Sequence, residues 1–299
     1  MGGEEIVECV PNFSEGRDAA VIDSIANAIA SVPRIAVLHQ TMDADHNRSV
    51  ITFAGSRDSI VEAAIRGVEK AVSLIDLTIH QGVHPRIGAA DVVPFVPVRG
   101  VTLEDCVGLA EMAGEEIWRR LHVPVYLYEG AARLLERRRL ENVRKQDRGA
   151  PDIGGPQFHP TAGAAAVGAR KFLIAWNVNL ATADVGIAKA IARRIRASSG
   201  GFPHVKALGL MLASRNQTQV SMNLTDFEIT SLRVVFDEIE RLAEAAGTSI
   251  NVSELIGLIP QAALASASPG YLRMEGFDGN RVLENRLASM KEQWVRKMG

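Results

Sequence analysis

Between His80 and Asp91 the chain reads HQGVHPRIGAAD, which sets two imidazoles, a guanidinium and a carboxylate within twelve residues. Imidazole, with an unperturbed pKa of about 6.5, takes up and releases protons near neutral pH, so the run holds the parts for general acid and base chemistry. Pro85 fixes its own φ and pushes His84 toward extended geometry, holding that imidazole on a stiff backbone. Arg86 and Asp91 supply a cation and an anion beside it. A histidine next to proline more often serves structure than catalysis, so the run must be weighed with its company.

That company is two further polar clusters. HQTMDADHNRS carries His39, Asp43, Asp45, His46, Asn47 and Arg48, and the glycine-rich GAPDIGGPQFHPTAG carries His159. Five of the seven histidines fall in these three segments. Loops on rigid scaffolds carry binding and catalytic groups, which favours one shared active site. His80 and His84 lack the carboxylate placement of HExxH, and no third ligand follows by spacing, so no metal is expected. The glycine segment has neither a GxGxxG nor a GxxxxGKS pattern. Its bare backbone suits close approach to a planar or anionic ligand, with a turn-rich surface loop as the equal alternative.

Elements that could position these clusters follow from apolar periodicity. Strands are predicted at 5–11, 35–39, 50–54, 92–98 and 123–128, with helices at 19–30, 58–75 and 102–121 between them. Thr102 is the predicted N-cap of the last helix. Pro94 and Pro97 predict an edge or irregular strand, and the basic run Arg133 to Arg148 predicts a helix with a solvated face, possible rim for anions included. Farther on, a strand at 172–178, a helix from 182, strands at 205–213 and 218–224, a helix at 230–246 and a strand near 249–253 give the βαββαβ order of a ferredoxin-like unit. A tail helix at 281–298 is expected to pack through Leu283, Leu287, Met290 and Trp294. The first half has related order, so the expected class is α+β: two stacked ferredoxin-like α/β sandwich subdomains with mostly antiparallel or mixed sheets, bounded at 1–180 and 181–299.

Composition bounds the function. A chain of 299 residues is long enough for two cores, since single cores stop growing near roughly 250–300 residues. With 33 basic against 35 acidic residues, the formal net charge of −2 speaks against nucleic acid as a partner. No apolar run reaches the roughly 18 residues of a spanning helix and the N-terminus lacks a signal pattern, so no membrane partner and a cytoplasmic location are expected. Cys9 and Cys106 are far apart, without CxxC spacing, and are expected to be buried small hydrophobes.

Several segments together resemble one family. ECVPNFSEGR, HNRSVITFAG, HQGVHPRIGAADVVPFVPVRGVTLEDC, VPVYLYEGAARLLERRRL, GARKFLIAWNVNL and QVSMNLTDFEIT are similar, nearly end to end, to the formiminotransferase domain of the formiminotransferase-cyclodeaminase family, without the cyclodeaminase. The resemblance implies transfer of a formimino group between N-formimino-L-glutamate and tetrahydrofolate as co-substrate, in histidine degradation, by two ferredoxin-like subdomains about a folate tunnel in a homodimer. It implies that His84 of HPRIGA is the catalytic histidine. It implies a folate-binding stretch of Gly154, Gly155, Pro156, Gln157, Phe158, His159, Pro160, Thr161, Ala162 and Gly163. Arg48 or Arg86 could clamp the glutamate carboxylates, with Asn47, His39 and Asp43 as further substrate-side candidates, while the roles of His46, His80 and Asp91 stay open. Also open are a related folate enzyme acting on 5-formyltetrahydrofolate or N-formylglutamate, a non-catalytic folate-binding protein, and a metal hydrolase.

Overall fold

The computed structural model describes residues 5–44, 46–82, 85–212 and 215–298. The chain divides into two units, 1–171 and 172–299. Asp45 and His84 lie outside the described residues.

In the first unit, strand β1 (Ile6–Cys9) resumes after Val10 and Pro11 as β2 (Asn12–Phe13). There follow α1 (Ala19–Ala30), β3 (Ile35–Asp43), β4 (Arg48–Ser56), α2 (Arg57–Leu74), β5 (Ala90–Arg99), α3 (Leu103–Leu121), β6 (Val125–Glu129), the single turn α4 (Leu140–Val143) and β7 (Ala165–Ala169). β4 pairs antiparallel with β1 and β3, and β1 pairs antiparallel with β5, which is the ferredoxin-like order. β7 then joins β5 and β6 in parallel. Apolar residues of alternate strand positions, among them Val7, Ile51, Phe53, Val93 and Phe95, bury against Ile25 and Ile29 of α1, Ile60 and Val68 of α2, and Leu109 and Ile117 of α3. Cys9 and Cys106 are buried free thiols in this core. Thr102 caps α3 in a reciprocal box with Asp105, the predicted N-cap.

In the second unit, β8 (Ile174–Leu180), α5 (Val185–Ile195), β9 (Val205–Leu212), β10 (Gln217–Leu224), α6 (Leu232–Ala245) and β11 (Ile250–Ile256) repeat the βαββαβ order, followed by α7 (Leu283–Met298). The sheet runs β11-β8-β10-β9, antiparallel throughout. Trp176 stacks on Phe236 at 6.0 Å in its core. Leu283, Leu287 and Met290 of α7 are buried as predicted, while the Trp294 side chain lies outside the described residues. The strand at 174–180, placed before the sequence boundary at 180, pairs with β10 and β11 and so belongs with the second unit.

Two local expectations are corrected. β5 is a central strand despite Pro94 and Pro97. Pro94 turns its missing N–H toward the break between β1 and β2, where its carbonyl accepts from Val10 N–H at 3.3 Å, and Pro97 lies past Phe95–Ala169, where pairing with β7 ends. The basic run is no solvated helix either. It forms a short 3₁₀ turn (Leu135–Arg138) and α4, with Arg137 buried because its guanidinium reaches Asp152 at 2.7 Å and the carbonyls of Arg148 and Ala150.

The register brings the end of β2, the end of β3 and the starts of β4, β5 and β7 to one end of the first sheet: Asn12 faces Val50 and Val92, Asp43 faces Arg48, and Val92 faces Ala166. On β1 sits a buried carboxylate, Glu8, whose Oε2 has no partner. Burial raises its pKa from 4.5 to about 7, Arg170 offsetting only part of that. A carboxyl that binds its proton more tightly when folded destabilises the fold on ionising, so stability falls as pH climbs from 4.5 through about 7. Glu8→Gln should match the parent in urea unfolding at pH 5 or below and exceed it by about 3 kcal/mol at pH 8. Identical stabilities at both pH values would refute the burial account.

Candidate active site

Four loops meet at that end of the first sheet, joined by hydrogen bonds between segments distant in sequence. Ser14 donates its hydroxyl to the Gly88 carbonyl at 2.7 Å, and its N–H to Ala89 O at 2.8 Å. Asn47, buried with a φ of 47°, accepts from Gly16 N–H at 2.9 Å and donates to Gln81 O at 2.9 Å, so one amide ties the loop before α1 to the loop after α2. Arg86 donates to the carbonyls of His46 (3.2 Å) and Asn47 (3.4 Å) and lies against both ring nitrogens of His80. Burial, followed by the Arg86 charge, lowers the His80 pKa, which favours a neutral ring.

The glycine-rich stretch closes on the same loop. Leu77 N–H donates to Thr161 O, Ala89 N–H to Ala162 O and Ala164 N–H to Ile87 O, each at 2.8–2.9 Å. At Gly88 a β-carbon would stand 1.9 Å from Ala164 O, and at Gly163 (φ +70°) 2.2 Å from Ile87 O, so this crossing of two backbones requires both glycines. Thus the segment carrying the HPRIGA motif and the segment from Gly154 to Gly163 share one hydrogen-bonded seam.

Asp91 is the electrostatic centre of the arrangement and is fully buried. Its Oδ2 accepts from Arg48 at 2.7 Å and from Arg144 at 2.6 Å, and its Oδ1 from Ile87 N–H at 2.8 Å. Burial alone would raise the Asp91 pKa. The charges of Arg48 and Arg144 and the Ile87 N–H outweigh it and hold the carboxyl below its ordinary range. Arg48 also donates from Nε (3.2 Å) and a terminal nitrogen (2.9 Å) to Asn12 Oδ1.

The remaining predicted residues take varied places. His39 and Asp43 lie on β3 and Arg48 on β4, so the second polar cluster is mostly a hairpin instead of a loop. Asp43 caps the hairpin turn, accepting from His46 N–H at 2.8 Å and facing His46 Nδ1 at 3.1 Å. His39 registers with Thr52. Gly154 (φ +95°) lies where a β-carbon would come within 2.6 Å of the Trp118 ring, so its bareness serves packing, with Gly155 beside the same ring. His159 accepts the Ala162 N–H at Nδ1 (3.0 Å) and exchanges backbone bonds with Gly163, stapling its own turn. Pro156, Gln157 and Pro160 are exposed, as is Phe158, which meets the Arg148 guanidinium at 5.3 Å and the Tyr126 ring edge-on at 6.2 Å. Sequence reasoning missed Asn12, Ser14 and Arg144. Asn12 and Ser14 sit inside the PNFSEGR segment, and Arg144 inside the basic run noted as a possible rim for anions, where nothing sets it apart from its neighbours. Among the described residues no group of three or more His, Cys, Asp or Glu is placed to hold a metal ion.

Residues 6–170 match the protein-family model described as the formiminotransferase domain, N-terminal subdomain, and residues 175–287 match the model described as the formiminotransferase domain. A curated glutamate formimidoyltransferase from Streptococcus pyogenes is 45% identical over 295 residues, covering 95% of this chain and 99% of that protein. A second from Thermoplasma acidophilum is 42% identical, covering 94% and 97%. The formimidoyltransferase-cyclodeaminase of Sus scrofa is 42% identical over 91% of this chain, a match that spans 53% of that longer protein.

Removing the central carboxylate tests this geometry. Asp91→Asn leaves Arg48 and Arg144 buried without their counter-charge and should cost about 3–5 kcal/mol in urea unfolding at pH 7. Because the native Asp91 pKa is depressed, its contribution is present above the unfolded carboxylate value of about 3.9 and disappears as pH falls through the lower native value. Parent and variant should therefore converge in acid. A difference below about 1 kcal/mol at pH 7 would contradict the role given to this charge.

Proposed function

Because the chain belongs to the formiminotransferase family, we propose that it transfers a formimino group between N-formimino-L-glutamate and tetrahydrofolate, giving 5-formimidoyltetrahydrofolate and L-glutamate. The observation that carries this reading is the 45% identity to a glutamate formimidoyltransferase across 95% of this chain and 99% of that protein. The seam between the two loops supports it locally, since it sets the HPRIGA segment and the Gly154–Gly163 stretch side by side.

In the proposed reaction, N5 of tetrahydrofolate attacks the amidine carbon of the donor and forms a tetrahedral intermediate. The bond from that carbon to the glutamate nitrogen then breaks, and the proton lost by N5 is balanced by the one gained by the departing amine. His84 is the catalytic residue in this reading, carrying that proton as general base and then general acid. Pro85 and the Arg86 bonds to the His46 and Asn47 carbonyls support a firm backbone on one side of it. The stretch from Gly154 to Gly163 is the proposed folate contact, with Phe158 as its exposed ring and with Gly163 and His159 keeping the loop in shape. Asn47, Arg48, Arg86, His39 and Asp43 form the proposed donor side. The bonds of Arg48 to Asp91 and Asn12 favour bracing as its duty within that group. Family membership also supports a cytoplasmic homodimer working in histidine degradation.

Incubating the protein with tetrahydrofolate and either N-formimino-L-glutamate or N-formyl-L-glutamate, with mass spectrometry of the folate and of free glutamate, separates the readings. Formimino transfer alone is expected. Transfer from the formyl donor would shift the assignment to a related one-carbon reaction, and folate binding without product from either donor would sink the enzymatic reading. His84→Ala should lower kcat by about 100-fold or more while leaving folate affinity within about twofold. Loss of folate binding at unchanged kcat would remove His84 from the chemistry.

A further inference from the structure

Arg144 is the residue whose chemistry is least accounted for by the fold. It follows α4, in the basic run between β6 and β7, and its side chain is only 15% exposed. Among the described residues it spends one donor, on Asp91 Oδ2; its Nε is buried without a partner and its other terminal nitrogen makes no hydrogen bond. A guanidinium carries five N–H donors in a planar fork matched to carboxylates, and burying them unused is costly. Arg137, seven residues earlier in the chain and more deeply buried, shows the structural alternative. Its Nε is also buried without a partner, but both of its terminal nitrogens are taken up, by Asp152, Arg148 O and Ala150 O.

The charge count points the same way. Arg48 and Arg144 share one oxygen of Asp91, so Arg144 has only part of that carboxylate as its counter-charge. Buried charge is retained where something compensates it, and the unused donor capacity of Arg144 suits an anion. Asp91 holds Arg144 in the same hub as Ile87, three residues beyond His84 in the chain. A carboxylate reaching Arg144 would therefore belong to a molecule whose reacting atoms lie nearby.

We propose that Arg144 is a substrate-binding residue that takes a carboxylate of a reactant on its unused terminal N–H groups while Asp91 fixes its plane. The inference rests on the formimino-transfer reading and adds to it a specificity determinant. Both reactants carry glutamate carboxylates. The donor is the better fit, because its α-carboxylate is one carbon from the nitrogen that leaves.

The test is steady-state kinetics of the full chain and of Arg144→Gln and Arg144→Lys, with N-formimino-L-glutamate varied against tetrahydrofolate and against tetrahydropteroate, which lacks the glutamate. Arg144→Gln should raise KM for the donor about 10- to 100-fold, far more than it lowers kcat, and Arg144→Lys should recover part of the loss. A rise confined to KM for tetrahydrofolate and absent with tetrahydropteroate would keep the carboxylate and assign it to the folate. Unchanged KM for both reactants, or a fall in kcat alone, would overturn the proposal and leave Arg144 as a brace for Asp91. Calorimetric titration of L-glutamate into the parent and Arg144→Gln gives a readout that needs no turnover. A parent that binds glutamate but transfers nothing would fail the proposed function, while equal glutamate affinity in parent and variant would fail this inference.

Discussion

The arrangement at the end of the first sheet depends on one buried carboxylate. Taking an ion out of water costs several kcal/mol, and a carboxylate with no exposure is stable as an anion only if charges and N–H groups replace its hydration. Asp91 has all of these: two guanidiniums on one oxygen and a backbone N–H on the other. The consequence is topological as well as energetic. Through Arg48 the charge reaches Asn12 on β2, through Ile87 it reaches the loop after α2, and through Arg144 it reaches the segment after α4. A single pair of oxygens makes direct bonds that span up to 53 residues of chain.

Close backbone approach completes what the charge begins. Where the loop after α2 passes the glycine-rich stretch, the two chains come near enough that any β-carbon at Gly88 or Gly163 would collide with a carbonyl. The glycines of this region therefore answer intrachain needs first, Gly163 against Ile87 and Gly154 against the Trp118 ring. On the outward part of the loop Phe158 stands beside the Arg148 guanidinium. A ring flanked in this way offers both a face for stacking and a positive charge, two properties suited to a planar molecule with an anionic tail.

The sequence reveals the two βαββαβ units because each strand and helix announces itself by its own period, and because Gly, Pro and Thr102 punctuate them where the backbone demands it. It conceals side chains whose partners are remote. Arg137 and Arg144 look like any solvated arginines in RLLERRRLENVRKQDR, because composition cannot tell an arginine facing water from one facing Asp152 or Asp91. β3 runs on past the predicted end at His39, and β4 begins at Arg48, two residues before the predicted start at Val50, for a related reason. From His39 to Asp43 four of five consecutive residues are polar, so no apolar alternation marks the extension. The two prolines of β5 misled in the opposite direction, since their missing donors fall where no neighbour asks for one.

Strand direction explains why this end of the sheet, and not the other, gathers the chemistry. In the βαββαβ order β1 and β2 run opposite to β4 and β5, so β2 finishes where β4 and β5 begin, and the parallel addition of β7 places its start there too. Each of those strand ends delivers a loop, and loop backbone cannot all find ladder partners. Here the deficit is met by side chains that cross between loops: Ser14 on Gly88, Asn47 on Gly16 and Gln81, Arg86 on His46 and Asn47. Such crossing bonds tie the loops to one another. A site proposed to join two substrates beside one histidine depends on such fixed geometry.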